Sequence, residues 1–347
     1  MAPPFPPREL IDARRVSRRG FTLVELLVVI SIIVILMAVG VRVMQFSVED
    51  RRTREAAREI NVYVASARNR AMEIGRPCGV MLRRLPGQPL CVVGLEQVEV
   101  PPAYAGETLD STAQLQILTP VSGGLATVRA QLTPDINATL VSQGDLVQFN
   151  CQGPLYTITE PPTANSLTLQ ITLLPGQMLP WPNGTSSLPM PYQIIRRPTK
   201  SAAAGLQLPV RAVIDLEFSG TDDHSIGASD SPVWIMFSPT GALDRIYHGS
   251  ETHLGTEPIY LLVGKQERVP AGSAEDGLAN WQDTKNLWVM LNPQTGLVTT
   301  AENVPVDLTK LPAGLIRPFD PTKVAHVQWA LRQARELAQG GQSMGGR

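Results

Sequence analysis

The chain has 347 residues, room for one large domain or two ordinary ones, with 43% hydrophobic and 18% charged residues. Thirty prolines and 28 glycines argue against an all-helical fold, and a formal charge of −1 excludes a strongly basic nucleic-acid binder. Three cysteines without a CxxC pair exclude a disulfide-dense scaffold and offer no structural zinc site.

Charge is divided by region. Residues 1–20 carry five Arg against Glu9 and Asp12, and residues 21–41 carry a single charged group, Glu25. Residues 42–76 hold eight Arg and five acids, and the remaining 271 residues have a net charge of −6. A basic head, an apolar bar, a basic stem and a mildly acidic body are the layout of a membrane-anchored protein. Pro3, Pro4, Pro6 and Pro7 suit a disordered cytosolic leader.

The apolar bar, residues 21–41, makes about 31 Å of helix, one bilayer core. Arg14, Arg15, Arg18 and Arg19 precede it, so the positive-inside rule keeps residues 1–20 cytoplasmic and sends the rest outward. The bar is too long for a cleaved secretory signal, and Arg42 follows it with no small-residue cleavage site. Glu25 is anomalous there, because a carboxylate within a spanning helix costs roughly 2.5–3.5 kcal/mol and is usually paired. The bar holds no cation. Cleavage between Gly20 and Phe21 would create one, an α-amine at Phe21 one helical turn from Glu25. In a bundle of such helices the carboxylate of one would meet the amine of the next.

The run Arg18-Arg19-Gly20-Phe21-Thr22-Leu23-Val24-Glu25, followed by a spanning stretch, resembles the processing site of type IV pilins and type II secretion pseudopilins. The resemblance implies a prepilin peptidase that cuts after Gly20 and methylates the Phe21 amine, with Glu25 as the assembly residue. It implies a bacterial inner-membrane, single-pass protein whose head is periplasmic and which enters a pilus or pseudopilus filament after processing. Its implied partners are prepilin peptidase, other pilin-like subunits, the secretion machinery and the inner membrane through 21–41.

Helical periodicity continues through Ala56, Ala57, Ile60, Tyr63, Val64, Ala67, Ala71 and Ile74, and Gly75 with Pro77 ends it. The long N-terminal helix is therefore expected over residues 21–76. Ala67-Arg68, Ala71 and Gly75-Arg76-Pro77 resemble the helix end and first strand of H-type minor pseudopilins and their minor pilin relatives. Read without that resemblance, Arg68, Arg70 and Arg76 form a solvated face.

Beyond residue 80 short apolar runs predict strands at 80–84, 144–150, 155–159, 166–174, 192–197, 212–218, 233–238, 259–263 and 287–292. Similar turns, each a Pro with a following Gly, come at 237–245 and 291–299. Residues 77–91 and 206–320 are expected to form a pilin-like β head. Residues 92–205 exceed what such a head needs and read as an inserted β-rich module, a small barrel or sandwich; one enlarged sheet domain is the alternative. Asp320 and Pro321 start, and Gly340 and Gly341 end, a C-terminal helix over 321–340, with Val324, Val327, Leu331 and Ala334 on one stripe. The expected fold class is α+β and pilin-like: a long N-terminal helix, transmembrane in its first half, packed on an antiparallel head.

Other constellations are weak. Outside the cytoplasm cysteines can pair, and Cys78 with Cys91 would close a short loop across adjacent strands. His248, Glu251 and His253 lack the spacing of zinc peptidases and read as a polar loop, and Asp222, Asp223, His224 and Asp230 are not spaced as a calcium loop. No nucleophile elbow or phosphate loop occurs, so no enzyme, metal or cofactor is expected. A DNA-capturing minor pilin is the second reading, opposed by the acidic head, and an anchored extracytoplasmic enzyme the third. Nucleic acid is not an expected partner.

Overall fold

The computed structural model describes residues 22–122, 124–172, 185–222, 225–227, 231–249, 251–274, 277–312, 314–315 and 318–344, without the side chains of 38–47, 120–122, 251 and 341–344. The chain divides into two compact units, residues 1–48 and 49–347.

Helix α1 (Leu23–Ile74) begins in the first unit and ends in the second. In the first unit every residue from 22 to 37 is exposed, with Leu23 at 80%. Among the described residues no helix is long and apolar enough to cross a membrane. The span expected over 21–41 extends past the described side chains at both of its ends.

In the second unit the helix buries Ala56, Ala57, Ile60, Val64, Ala67 and Ala71, the stripe that its three-and-four spacing predicts. Four of these six are alanines, so the helix backbone approaches the sheet closely. Gly75, at φ +66°, ends the helix in a conformation that glycine adopts without steric penalty. Strands β1 (Cys78–Leu85) and β2 (Gln88–Glu99) follow as a hairpin.

The next six strands form a separate sheet. They are β3 (Thr112–Ser122), β4 (Leu125–Thr133), β5 (Leu146–Phe149), β6 (Tyr156–Ile158), β7 (Ser166–Thr172) and β8 (Tyr192–Ile195). Their order is β3-β4-β7-β6-β5-β8, and every pairing is antiparallel. Bridges Ala113↔Met190 and Gln116↔Ser186 join β3 to the segment entering β8, which closes the sheet into a barrel. Inward residues alternate with outward ones, as in β4, where Ala126, Val128, Ala130 and Leu132 are buried between exposed or half-buried neighbours. The barrel interior is packed with Leu115, Leu167, Leu169, Ile194 and their neighbours as a core of its own.

The chain then returns to the first sheet. Strands β9 (Thr199–Lys200), β10 (Leu206–Gln207), β11 (Ala212–Gly220), β12 (Val233–Phe237), β13 (Leu243–His248), β14 (Glu251–Leu254), β15 (Ile259–Lys265), β16 (Leu287–Leu291) and β17 (Val298–Glu302) complete eleven strands. The main path is β14-β13-β12-β1-β2-β11-β15-β16-β17, with β9 and β10 paired to β2. The expected module boundary at residue 92 falls inside β2, whose pairing with β1 keeps 92–99 in the large sheet. The boundary at 205 is displaced likewise, because β9 already pairs with β2.

One face of the large sheet packs on the α1 stem, and the opposite face packs on α2 (Val324–Ala334) and α3 (Glu336–Met344). Burial on both faces explains why β15 and β16 are buried at every residue. The C-terminal helix expected over 321–340 is thus two helices. Asp320 does not cap the first of them but accepts from the Thr322 N–H at 2.9 Å, and the helix starts at Val324. Gly340 and Gly341 do not end the second, which continues to Met344.

Candidate processing and assembly site

Gly20 and Phe21 lie outside the described residues; Thr22 and Glu25 do not. Thr22 stands just before the helix, and its Oγ1 accepts the Glu25 backbone N–H at 3.2 Å while its carbonyl accepts from Leu26 at 3.1 Å. Thr and Glu three positions apart are the spacing of a helix-capping pair, in which the threonine satisfies one of the orphan N–H groups of the first turn. The carboxylate of Glu25 therefore sits in the first turn, where the helix dipole favours negative charge. Ser31 donates to the Leu27 carbonyl at 2.8 Å, so the hydroxyl within the apolar run is satisfied inside the helix. What remains outward from Leu26 to Met37 is apolar apart from Ser31, with every side chain exposed. Sequence reasoning singled out Glu25 and passed over Thr22, although the Thr-x-x-Glu spacing was there to read.

At the other end of the stem, Arg68 is no solvated residue. Its Nε donates to the Gly241 carbonyl at 3.0 Å and to the Thr295 carbonyl at 2.9 Å. Those carbonyls belong to the two similar turns, which touch one another: a Cβ at Gly296 would meet the Gly241 carbonyl. Arg76 donates to the Val100 carbonyl at 3.2 Å. Arg70, by contrast, pairs on the surface with Glu73 at 3.7 Å, as a solvated face predicts.

The first turns of the stem within the second unit are held by charge. Lys265 Nζ, only 9% exposed, lies 3.2 Å from Asp283, 3.8 Å from Asp50 and 3.9 Å from Glu49. Arg268 contacts Asp283 at 3.2 Å and Lys285 contacts Asp50 at 2.7 Å. No short-range pattern marks this cluster, because its stem acids lie more than 200 residues in sequence from the basic residues they meet.

Cys78 and Cys91 are free buried thiols, and the possible bridge between them does not form. Cys78 faces Glu99 across the β1–β2 ladder, while Cys91 lies eight positions back along β2 opposite Asp215. Eight residues of strand span about 26 Å, well beyond disulfide reach. Burial pushes the Cys91 thiol up to about 12, and the nearby Asp215 adds to the shift, so this sulfur is a core atom rather than a nucleophile. Cys151 is exposed and also free.

His248 and Glu251 face each other across the β13–β14 turn, so the segment expected as a loop is a hairpin. Among the described residues no group of three His, Cys, Asp or Glu side chains could hold a metal ion. Asp223, His224 and Asp230 lie outside the described residues. A cavity of about 540 Å³ separates β11 from α2, walled by Phe218, Trp281, Phe319, Val327 and Leu331. Glu217 at its edge accepts the Ala271 N–H at 2.9 Å, and Arg335 stacks over Tyr260 and Trp288 at 4.7 and 4.8 Å. Neither His, Cys nor Lys lines it among the described residues.

Residues 15–41 match the family model described as the prokaryotic N-terminal methylation motif. This motif is the hallmark of type IV pilin-like prepilins and pseudopilins. It supports a membrane-anchored structural subunit that prepilin peptidase processes and that assembles with other pilin subunits into filaments. No curated protein and no solved structure matches the chain.

Proposed function

We propose that the chain is a subunit of a type II secretion pseudopilus, of the H-type minor class. Peptidase cuts between Gly20 and Phe21, Phe21 becomes the methylated terminus, and Glu25 guides docking by meeting the terminal amine of a neighbouring subunit. The mature helix crosses the inner membrane through residues 21–41 before extraction, and the head faces the periplasm. The head comprises residues 77–99 and 199–320, with residues 100–198 inserted as a barrel module. The observation that carries this reading is the first turn of α1, where a carboxylate sits at the head of a long exposed apolar run within the methylation motif. Neither lipid nor neighbouring apolar helices supply a cation there, and a new α-amine does.

The test is mass spectrometry of the membrane-extracted chain co-expressed with prepilin peptidase. Loss of residues 1–20 and gain of one methyl group at Phe21 are expected. Glu25→Ala is expected to be cleaved normally and to be absent from filaments. Mature material that retains residues 1–20 ends the prepilin reading, and normal filament incorporation of Glu25→Ala ends the charge-pairing role.

A further inference from the structure

The barrel and the large sheet keep separate apolar cores, so burial of a shared hydrophobic surface does not fix one against the other. Two chain crossings join them, and Arg197 stands on the second. Its backbone N–H donates to Asp145 Oδ1 at 2.7 Å. Asp145 is a barrel carboxylate only 2% exposed, whose other oxygen accepts the Ser142 N–H at 2.8 Å. The guanidinium reaches the other way. Nη2 donates to the Gly249 carbonyl at 3.0 Å in the β13–β14 turn, and the group lies 5.9 Å from the ring centres of both Trp234 and Tyr247. Those rings are cross-strand partners on β12 and β13, 5.8 Å apart. On the barrel side Gly144, at φ +89°, leaves room for the guanidinium; a Cβ there would meet its central carbon at 3.0 Å.

We propose that Arg197 is the pin that locks the barrel onto the large sheet, so that the two move as one body. The backbone of Arg197 is bound to the barrel and its side chain to the sheet, which makes this one residue a member of both. Arginine suits the task because its charge is permanent, its plane stacks on aromatic faces and it is weakly hydrated; lysine supplies only the charge. An insertion mounted rigidly presents whatever it contacts at a fixed position relative to the stem, whereas one held by two strands of chain alone would swivel.

Spin-label distance measurements on the full detergent-solubilised chain test this. Labels go on Gln131→Cys in the barrel and Lys310→Cys in the head, both exposed positions, in a Cys151→Ser background that leaves only the buried Cys78 and Cys91. A narrow distance distribution is expected for the parent. Arg197→Ala and Arg197→Lys are both expected to widen it by about twofold or more while the β-sheet circular dichroism is unchanged, because neither restores the stacked plane. Where Arg197→Ala fails to fold, Tyr247→Leu carries the same readout by removing one of the two rings, and widening is again expected. An unchanged width in the folded variants overturns the proposal, as does a parent distribution that is already broad.

Discussion

Asp215 lies in β11 with no solvent exposure, opposite the thiol of Cys91. Its Oδ2 accepts from Asn280 Nδ2 at 2.9 Å and its Oδ1 from the Glu217 N–H at 3.0 Å. Loss of hydration outweighs these hydrogen bonds and raises its pKa from 3.8 to about 7. Between those two values the native chain holds a proton that the unfolded chain has released. This contribution to stability is therefore full below pH 4, falls as pH rises through the window, and is lost above pH 7, the reverse of a salt-bridged carboxylate. The shift corresponds to a loss on the order of 4 kcal/mol. Urea midpoints are expected to fall between pH 4.5 and pH 8, and Asp215→Asn is expected to flatten that slope; an equal slope in the variant would assign the effect elsewhere. Nothing in the local sequence announces this residue. It lies in the strand predicted over 212–218, on the face opposite Ile214 and Leu216, and burial of the sheet on both faces makes it a core group.

At the scale of the element, the α1 stem shows what linear pattern reveals and what it conceals. Its apolar stripe was legible because residues three and four apart share a face, and its buried apolar positions were foreseen, while the buried Thr53 one turn earlier was not. The role of Arg68 was not, because its partners lie 173 and 227 residues away. Charged donors to buried carbonyls are worth about 1.5–3 kcal/mol each, and removing them orphans both turns. Arg68→Ala is therefore expected to cost about 2–4 kcal/mol in urea unfolding followed by tryptophan fluorescence. Arg68→Lys should recover part of that, since an ammonium on a differently shaped stem can reach one carbonyl but does not hold a donor fixed between the two as Nε is. In the barrel, β3 and β4 escaped sequence reasoning although their residues alternate. Their inward positions include Ala113, Ala126 and Ala130, and alanine carries little strand signal. The methylation motif, by contrast, lies wholly within residues 15–41, which is why it needed no fold to be read.

For the whole molecule, the extra length of the body was visible as a surplus of residues, but its edges were not. The strands that border the insertion pair with each other, and pairing across a hundred residues leaves no mark in a local pattern. Glu99 on β2 faces Thr199 on β9, and Val98 faces Lys200. Facing residues of an antiparallel pair stand about 5 Å apart, a gap that a two-residue hairpin turn closes. Replacing residues 100–198 with Asn-Gly is expected to leave the large sheet folded by circular dichroism and the leader still removed by peptidase. A chain that loses its sheet on this excision would make the barrel part of the folding nucleus instead.

The adjacency of Glu99 and Thr199 also bears on how such a protein changes over time. Nearly a hundred residues enter and leave through a doorway no wider than a tight turn, so the surrounding architecture is indifferent to what is hung there. The large sheet and the inserted barrel are thereby free to diversify on separate schedules, with a contact such as that of Arg197 left for each new tenant to supply.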